Sequence, residues 1–362
     1  MKGLLNKEIN KVKLALTTEC NLSCPYCFVK KTNEYMGWDV AKKSVDLLIQ
    51  SKGRNKLLSM YGGEPLLGFE MIKKICPYAI NQAKKKNKKL TISICTNLTL
   101  IKKSHIDFIN KCGVKLVFSL VGKKCWHDKF RRFDSKIGTH DIVIGKTEMI
   151  QKNMDVDNVG VSFCVFPDTA GCLGENFKYI LDLGFNHINF EIVREFKPWT
   201  KNHIKAFEEE YTKILDQLIS NIERGNFLFI NPINWEIAYS LLSRSVGTEC
   251  PFNYKLEVYP NGEITFSPFL FNDENKNIFF VANLKENEQY MFRDCIFSSN
   301  KNGCKKCINS YFSPYKSDEG ANTVHRIYRN LSVKAAHVIL EKSKFDGSFR
   351  DYIDKIRNDI CF

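Results

Sequence analysis

A chain of 362 residues can bury a substantial core and exceeds the usual size of one domain, so a large domain with a smaller companion is expected. Met1 to Lys11 lacks an apolar h-region and no later run reaches membrane-spanning length, which leaves no signal peptide and no membrane partner and points to a cytoplasmic protein with reduced cysteines. The net charge of +14 is lopsided, with 29 Lys+Arg against 12 Asp+Glu in residues 1–150 and 13 against 21 in 151–300, yet the basic half has no aromatic-studded binding motif, so nucleic acid is not an expected partner.

The first predicted element is a strand over Val12–Thr17. Cys20, Cys24 and Cys27 follow it in the spacing C-x3-C-x2-C, with Tyr26 before the last. Three thiolates on a tight loop can hold a four-iron cluster by three corners and leave one iron open to a small molecule. Zinc would need a fourth ligand, and no His or Cys follows at finger-like spacing; a disulfide with a spare thiol, or chance among 14 cysteines, are the other readings. A helix over Trp38–Ser51 leads to a strand over Lys56–Tyr61, which ends on Tyr61-Gly62-Gly63-Glu64-Pro65. Two glycines allow close backbone approach to a ligand, and carbonyls with a carboxylate can accept from an ammonium group, although Gly-Gly is also an ordinary turn.

A helix over Phe69–Lys85 and a strand over Leu90–Cys95 come next, the latter running into Thr96-Asn97-Leu98. The lysine run between them, Lys84 to Lys89, precedes a strand and so belongs on the face away from the chemistry, as a solvated charge run. After a helix over Lys103–Lys111, the strand Lys115–Leu120 opens into Ser119-Leu120-Val121-Gly122 and His127-Asp128-Lys129-Phe130-Arg131. Lys123, Lys124, Lys129, Arg131, Arg132 and Lys136 crowd this loop, and such a field would attract an acidic peptide segment. Strands over Asn158–Phe166 and His187–Val193 bracket a helix over Asn176–Leu183 stopped by Gly184. Side-chain alternation puts Ser162 with Cys164, and Asn189 with Glu191, on a cavity-facing side together with Ser93, Cys95 and Ser119. Cys164 and Glu191 are the candidate catalytic groups.

Six strands alternating with helices describe a parallel α/β architecture. A long helix over Lys201–Arg224, with Glu208-Glu209-Glu210 on its exposed side, links it to a second region. There Lys255–Tyr259 alternates as a strand, Pro260-Asn261-Gly262-Glu263 forms a hairpin turn, and Ile264–Phe266 returns. Cys250, Cys295, Cys304 and Cys307 are the remaining ligand-like cysteines; four thiolates suit zinc as well as an iron–sulfur cluster.

The cysteine loop resembles that of the radical S-adenosylmethionine (SAM) enzymes, and the four later motifs resemble, in the family's order, G-G-E-P, T-N-G-x-L, S-L-D-G and H-D-x-x-R. Leu98 stands where the family has Gly, and Val121 where it has Asp. The resemblance implies a partial (β/α)6 TIM-like barrel whose active site lies at the C-terminal ends of the strands. It implies S-adenosylmethionine and a [4Fe-4S] cluster on Cys20, Cys24 and Cys27, with cofactor contacts from Tyr26, Gly62, Gly63, Glu64, Asn97, Ser119 and Arg131, Arg132 being a substitute for Arg131. A cysteine, a hairpin and a later C-x2-C resemble the SPASM and twitch extensions of this superfamily. Ser267, Ser313 and Ser317 stand where the fuller pattern wants cysteines, so one auxiliary [4Fe-4S] cluster on Cys250, Cys295, Cys304 and Cys307 is expected, within a small α+β extension. Pro268 stands where sulfatase-type maturases carry an Asp base, which leaves the reaction type open.

The domains expected are a barrel over 1–225, a cluster extension over 226–317 and a helical segment over 318–362. The implied function is hydrogen abstraction from a peptide or protein side chain, with an external low-potential electron donor. The alternative is a small-molecule radical SAM dehydrogenase. With 19 residues before Cys20, leader recognition is expected to need a separate protein or the basic surface.

Overall fold

The computed structural model describes residues 8–193, 196–241, 255–265, 280–285 and 319–358. The strands are β1 (Lys11–Thr17), β2 (Asn55–Gly62), β3 (Lys89–Thr96), β4 (Lys115–Ser119), β5 (Val159–Val165), β6 (His187–Ile192), β7 (Phe229–Asn231), β8 (Lys255–Val258), β9 (Glu263–Thr265) and β10 (Phe280–Asn283). The α-helices are α1 (Trp38–Gln50), α2 (Phe69–Lys85), α3 (Lys103–Lys111), α4 (Lys124–Phe130), α5 (His140–Asn153), α6 (Leu173–Asp182), α7 (Lys201–Glu223), α8 (Ile233–Leu241), α9 (Glu319–Lys342) and α10 (Gly347–Asn358).

All strands join one sheet in the order β10-β9-β8-β1-β2-β3-β4-β5-β6-β7. From β8 to β7 the neighbours run parallel, and β9 and β10 are antiparallel. This is the partial barrel expected from alternating strands and helices. The sheet extends one parallel strand further on each side than the six expected. β7 pairs with β6 through His187↔Phe229 and Asn189↔Asn231, and is too short to show a period of its own. β8 belongs to the expected hairpin but lies directly on β1, with Lys11↔Lys255 and Lys13↔Glu257 in register. Three helices, α4, α5 and α8, also escaped sequence reading; α4 is a two-turn insert within a motif loop, α5 has a weak apolar stripe in which Val143 and Ile150 are the buried apolar residues, and α8 is a nine-residue helix directly after β7.

Each strand divides its residues between helix layer and lumen. Val12 and Leu14 of β1 are fully buried under the helices, and Lys11 and Lys13, which alternate with them, are not. Leu58 and Met60 on β2, and Ile92 and Ile94 on β3, continue the outer core. α9 packs on α7 and α8, where Tyr328 reaches the sheet with its hydroxyl 3.2 Å from the carbonyl oxygens of Phe190 and Asn231. On α7, Glu208 and Glu209 are exposed as expected, but Glu210 is half-buried because it accepts from the Gly174 N–H at the start of α6.

Candidate active site

The loop after β1 leaves the sheet and returns to it. Thr17 Oγ1 donates to the Glu34 carbonyl, the Glu34 N–H donates to Thr18 Oγ1, and the Met36 N–H donates to the Leu16 carbonyl. The base of the loop is therefore pinned while its tip presents Cys20 and Cys24 half-buried and Cys27 exposed, all as free thiols. A further tie, from the Ser23 N–H to the Arg132 carbonyl at 2.7 Å, fastens the tip to the segment after α4. Burial pushes the Cys20 thiol up to about 11. Among the described residues no three His, Cys, Asp or Glu side chains converge as they would on a single metal ion. A four-iron cluster asks for a different arrangement, since each thiolate takes its own iron at a separate corner.

The Gly62-Gly63-Glu64 turn sits against this loop. A Cβ at Gly62 would overlap the Thr17 carbonyl oxygen, and one at Gly63 the Glu19 carbonyl oxygen, so both glycines are needed for backbone to pass backbone. The contact is sealed by the Gly63 N–H on the Thr17 carbonyl and the Glu64 N–H on the Glu19 carbonyl, each at 2.8 Å. Glu64 itself is fully buried. Its Oε1 accepts from the Leu66 N–H (3.0 Å) and Thr96 Oγ1 (2.7 Å), and its Oε2 from the Asn97 N–H (2.7 Å). Burial raises its carboxyl and those three donors oppose the rise. The side chain expected to face an ammonium group is thus turned inward, where it clamps the β3 loop to the glycine turn. Asn97 leaves that clamp with its Nδ2 3.8 Å from Cys20 Sγ and 2.9 Å from Asn21 Oδ1, so the Thr-Asn motif reaches the first cysteine. Leu98, in the family's glycine position, has φ of 69° and is fully buried, a left-handed backbone held by core packing.

On the other side of the loop, His127 explains its motif through a relay. Its Nδ1 accepts from the Val121 N–H at 3.4 Å, which leaves Nε2–H to face Thr139 Oγ1 at 3.1 Å, and Thr139 Oγ1 donates to the Arg131 carbonyl at 2.9 Å. Burial, then the neighbouring Arg131, holds the imidazole well below the usual histidine range, so it stays neutral and keeps this tautomer. Asp128 accepts from the His140 N–H at the start of α5. Arg131 is 9% exposed; its Nη1 donates to the Tyr26 hydroxyl, and its Nε is buried with no partner among the described residues. Tyr26 OH also lies 3.8 Å from Cys164 Sγ, which joins the cysteine loop to β5. Beside them Phe130 stacks on Phe166 at 3.7 Å and Tyr26 meets Phe166 edge-on, in an apolar group distinct from the main core.

The site residues named from sequence therefore fall into two groups. Cys20, Gly62, Gly63, Glu64 and Asn97 are linked on one flank; Tyr26, Arg131 and Cys164 are linked on the other. Ser119 is buried at the end of β4, opposite Ser162 in register, and Glu191 is opposite Cys164 on β6. Desolvation raises the Glu191 carboxyl, opposed by Lys13 and Lys11 from across the barrel. Those two lysines were missed as site residues; the alternation Lys11-Val12-Lys13-Leu14 was the available sign. The positive loop is corrected: Lys123 pairs with Glu175 (2.8 Å), Lys124 with Asp128 (3.0 Å) and Asp141 (2.6 Å), and Lys129 with Asp168 (2.7 Å). Acids from α4, α5, α6 and the turn before α6 thus pair three of the six cations that sequence read as a free field. Cys250, Cys295, Cys304 and Cys307, with Ser267, Pro268, Ser313 and Ser317, lie outside the described residues.

Residues 14–192, which hold the second half of β1, β2 to β6 and all five motifs, match the model of the radical SAM superfamily. The chain carries a radical SAM domain. It is similar to an uncharacterized protein of Methanocaldococcus jannaschii, 29% identical over 60% of this chain and 80% of that protein. It is also similar to the cysteine-type anaerobic sulfatase-maturating enzyme of Clostridium perfringens, 24% identical over 80% of this chain and 87% of the enzyme. In fold, the anSMEcpe structure with bound AdoMet gives a TM-score of 0.72 at 20% identity, covering 96% of this chain and 98% of that one. SuiB of Streptococcus suis bound to precursor peptide SuiA gives 0.53 at 14% identity, covering 89% and 72%. A radical SAM enzyme implies SAM and a four-iron cluster. The residues present fit both, because the pinned loop offers three free thiols and the buried, unpartnered Arg131 Nε beside it awaits an acceptor. No helix of the described residues is long and apolar enough to cross a membrane.

Proposed function

We propose that this radical SAM enzyme modifies a side chain of a peptide or protein. The observation that carries the reading is the pinned cysteine loop at the C-terminal end of the strands, with Ser119, Cys164 and Glu191 on neighbouring strands of the same barrel. Cys20, Cys24 and Cys27 would hold the four-iron cluster, Arg131 Nε–H would donate to the carboxylate of SAM, and Ser119 and Asn97 would complete the cofactor's surroundings. When bound, the cluster and SAM would supply radical hydrogen-abstraction chemistry. The chain's own part is to orient: the His127–Thr139 relay sets the Arg131 backbone, the Glu64 clamp sets Asn97 against Cys20, and the Phe130–Phe166 wall excludes water beside Arg131.

The peptide class is supported by the likeness to sulfatase-maturating enzymes and by neighbours of the same fold with peptides bound. Because Lys123, Lys124 and Lys129 are already paired, we do not assign selectivity for acidic peptides to that loop. An auxiliary [4Fe-4S] cluster on Cys250, Cys295, Cys304 and Cys307, within an extension over 226–317, and an external low-potential electron donor complete the proposal. It leads to about eight irons per chain after reconstitution, from two four-iron clusters. The test uses deuterium. Peptides from a proteome grown on deuterated amino acids are incubated with the reconstituted enzyme, SAM and a reductant, and 5'-deoxyadenosine is analysed by mass. Deuterium in the nucleoside supports a peptide substrate; its absence with peptides, together with its presence when deuterated small metabolites are supplied, overturns the peptide class in favour of the small-molecule dehydrogenase.

A further inference from the structure

The lumen below the cysteine loop carries charge that the site described above does not use. Lys11 and Lys13 on β1 and Lys255 and Glu257 on β8 are paired in register on adjacent strands, and Glu191 stands on β6 across the barrel. Lys13 Nζ lies 3.8 Å over the Tyr61 ring and 3.7 Å from Glu257 Oε1, with side chains only 19% and 13% exposed. Tyr61 in turn stacks on Phe28, the residue after Cys27, so a line of contacts runs from the cluster loop down to Lys13. Lys255 Nζ lies 5.0 Å over Trp235 of α8. Lys11 has no ion pair among the described residues, and neither does Glu191. Counting both sides of the lumen, the described residues bring three ammonium groups, Lys11, Lys13 and Lys255, against two carboxylates, Glu257 and Glu191, an excess of one positive charge among them. An unbalanced charge there is costly unless a partner of opposite sign is supplied.

We propose that the lumen takes a carboxylate of the substrate, bound by Lys13 and Lys11 on the β1 wall and kept off the opposite wall by Glu191. This deepens the reading of the substrate as a peptide and depends on the lumen being its cavity. The carboxylate could be an Asp or Glu side chain or a free chain terminus, since both present the same two oxygens to an ammonium group. Glu191 sets direction: with a carboxylate at the lysines, the rest of the peptide extends from the β1 wall toward the cysteine loop. Burial, then Lys13 and Lys255, hold the Lys11 ammonium below the usual lysine range, which is consistent with a cation whose counter-charge arrives with the ligand.

The test is calorimetric binding to the anaerobically reconstituted, SAM-loaded full chain with three peptides: acetyl-Ala-Glu-Ala-amide, acetyl-Ala-Gln-Ala with a free terminus, and acetyl-Ala-Gln-Ala-amide. At least one charged peptide should bind and the neutral one should not; which one binds names the source of the carboxylate. Lys13→Met should weaken that binding about tenfold to a hundredfold, the scale of a lost hydrogen bond to a charged group, and Lys11→Met should weaken it in the same direction. Lys13→Arg, which keeps the charge, should retain it. Equal binding of all three peptides, no binding of either charged one, unchanged binding in Lys13→Met, or loss in Lys13→Arg as complete as in Lys13→Met would each overturn the proposal. Release of 5'-deoxyadenosine by the wild-type protein is scored separately: its absence would defeat the radical reading and leave a positive carboxylate result standing.

Discussion

The mouth of the barrel and its lumen handle polarity in opposite ways. At the mouth nearly every polar group is matched inside the chain: Glu64 by three donors, His127 by Val121 and Thr139, and the loop lysines by Asp and Glu from neighbouring elements. Arg131 Nε is the exception among the described residues, and it is the donor proposed here for the cofactor carboxylate. In the lumen the lysines outnumber the acids and Lys11 has no ion pair among the described residues. A matched region holds geometry; an unmatched one selects a ligand. Substitutions at the mouth should therefore appear first in stability, and substitutions in the lumen in binding.

That contrast is broken most easily at Glu64. Glu64→Leu strands the Thr96 hydroxyl and the Asn97 and Leu66 N–H groups in a buried site, which should lower stability by about 3–5 kcal/mol in denaturant unfolding, taking roughly 1–3 kcal/mol per orphaned group with partial relaxation. A loss of only a few tenths would show that the clamp does not hold the loop. Leu98→Gly comes next. Restoring the family's glycine relieves about 1–2 kcal/mol of left-handed strain, but deletes a fully buried leucine side chain worth about 2–5 kcal/mol, so the variant should be less stable by about 1–3 kcal/mol. A stabilised variant would mean that the strain outweighs the packing.

Arg131→Met sharpens the one unmatched group of the mouth. It should weaken SAM binding by about 1.5–3 kcal/mol, measured anaerobically by calorimetry, while the protein still folds. Smallest of all is the loop. Lys123→Gln, Lys124→Gln and Lys129→Gln together should leave the melting temperature nearly unchanged, because exposed ion pairs contribute little, and should not change the salt dependence of substrate KM. A marked salt-dependent rise in KM would restore that loop as a docking surface.

The same contrast decides what is legible in the sequence. The mouth is written in short contiguous motifs, each at the end of one strand, so Cys20 to Cys27, Gly62 to Glu64, Asn97 and Arg131 stand out in the amino-acid order by themselves. The parallel sheet is legible for six strands because apolar runs alternate with helical stretches. β7 is not, being three residues long, and neither is the parallel seat of β8 beside β1, which depends on pairing between distant parts of the chain. The lumen's charge set is hidden for that reason: Lys13 and Glu257 meet only once β8 has docked. The loop lysines mislead because their partners, Glu175, Asp141 and Asp168, come from later elements. Glu64 reads as a ligand because its motif gives the residue and not the direction of its side chain.

On this reading SAM is cleaved at the loop bearing Cys20, Cys24 and Cys27. The most direct measurement is 5'-deoxyadenosine released by the anaerobically reconstituted protein with SAM and a strong reductant, compared with the Cys20→Ala, Cys24→Ala and Cys27→Ala variants. The wild type should release the nucleoside and each variant, though folded, should release none above background. Undiminished release from all three variants would contradict the account.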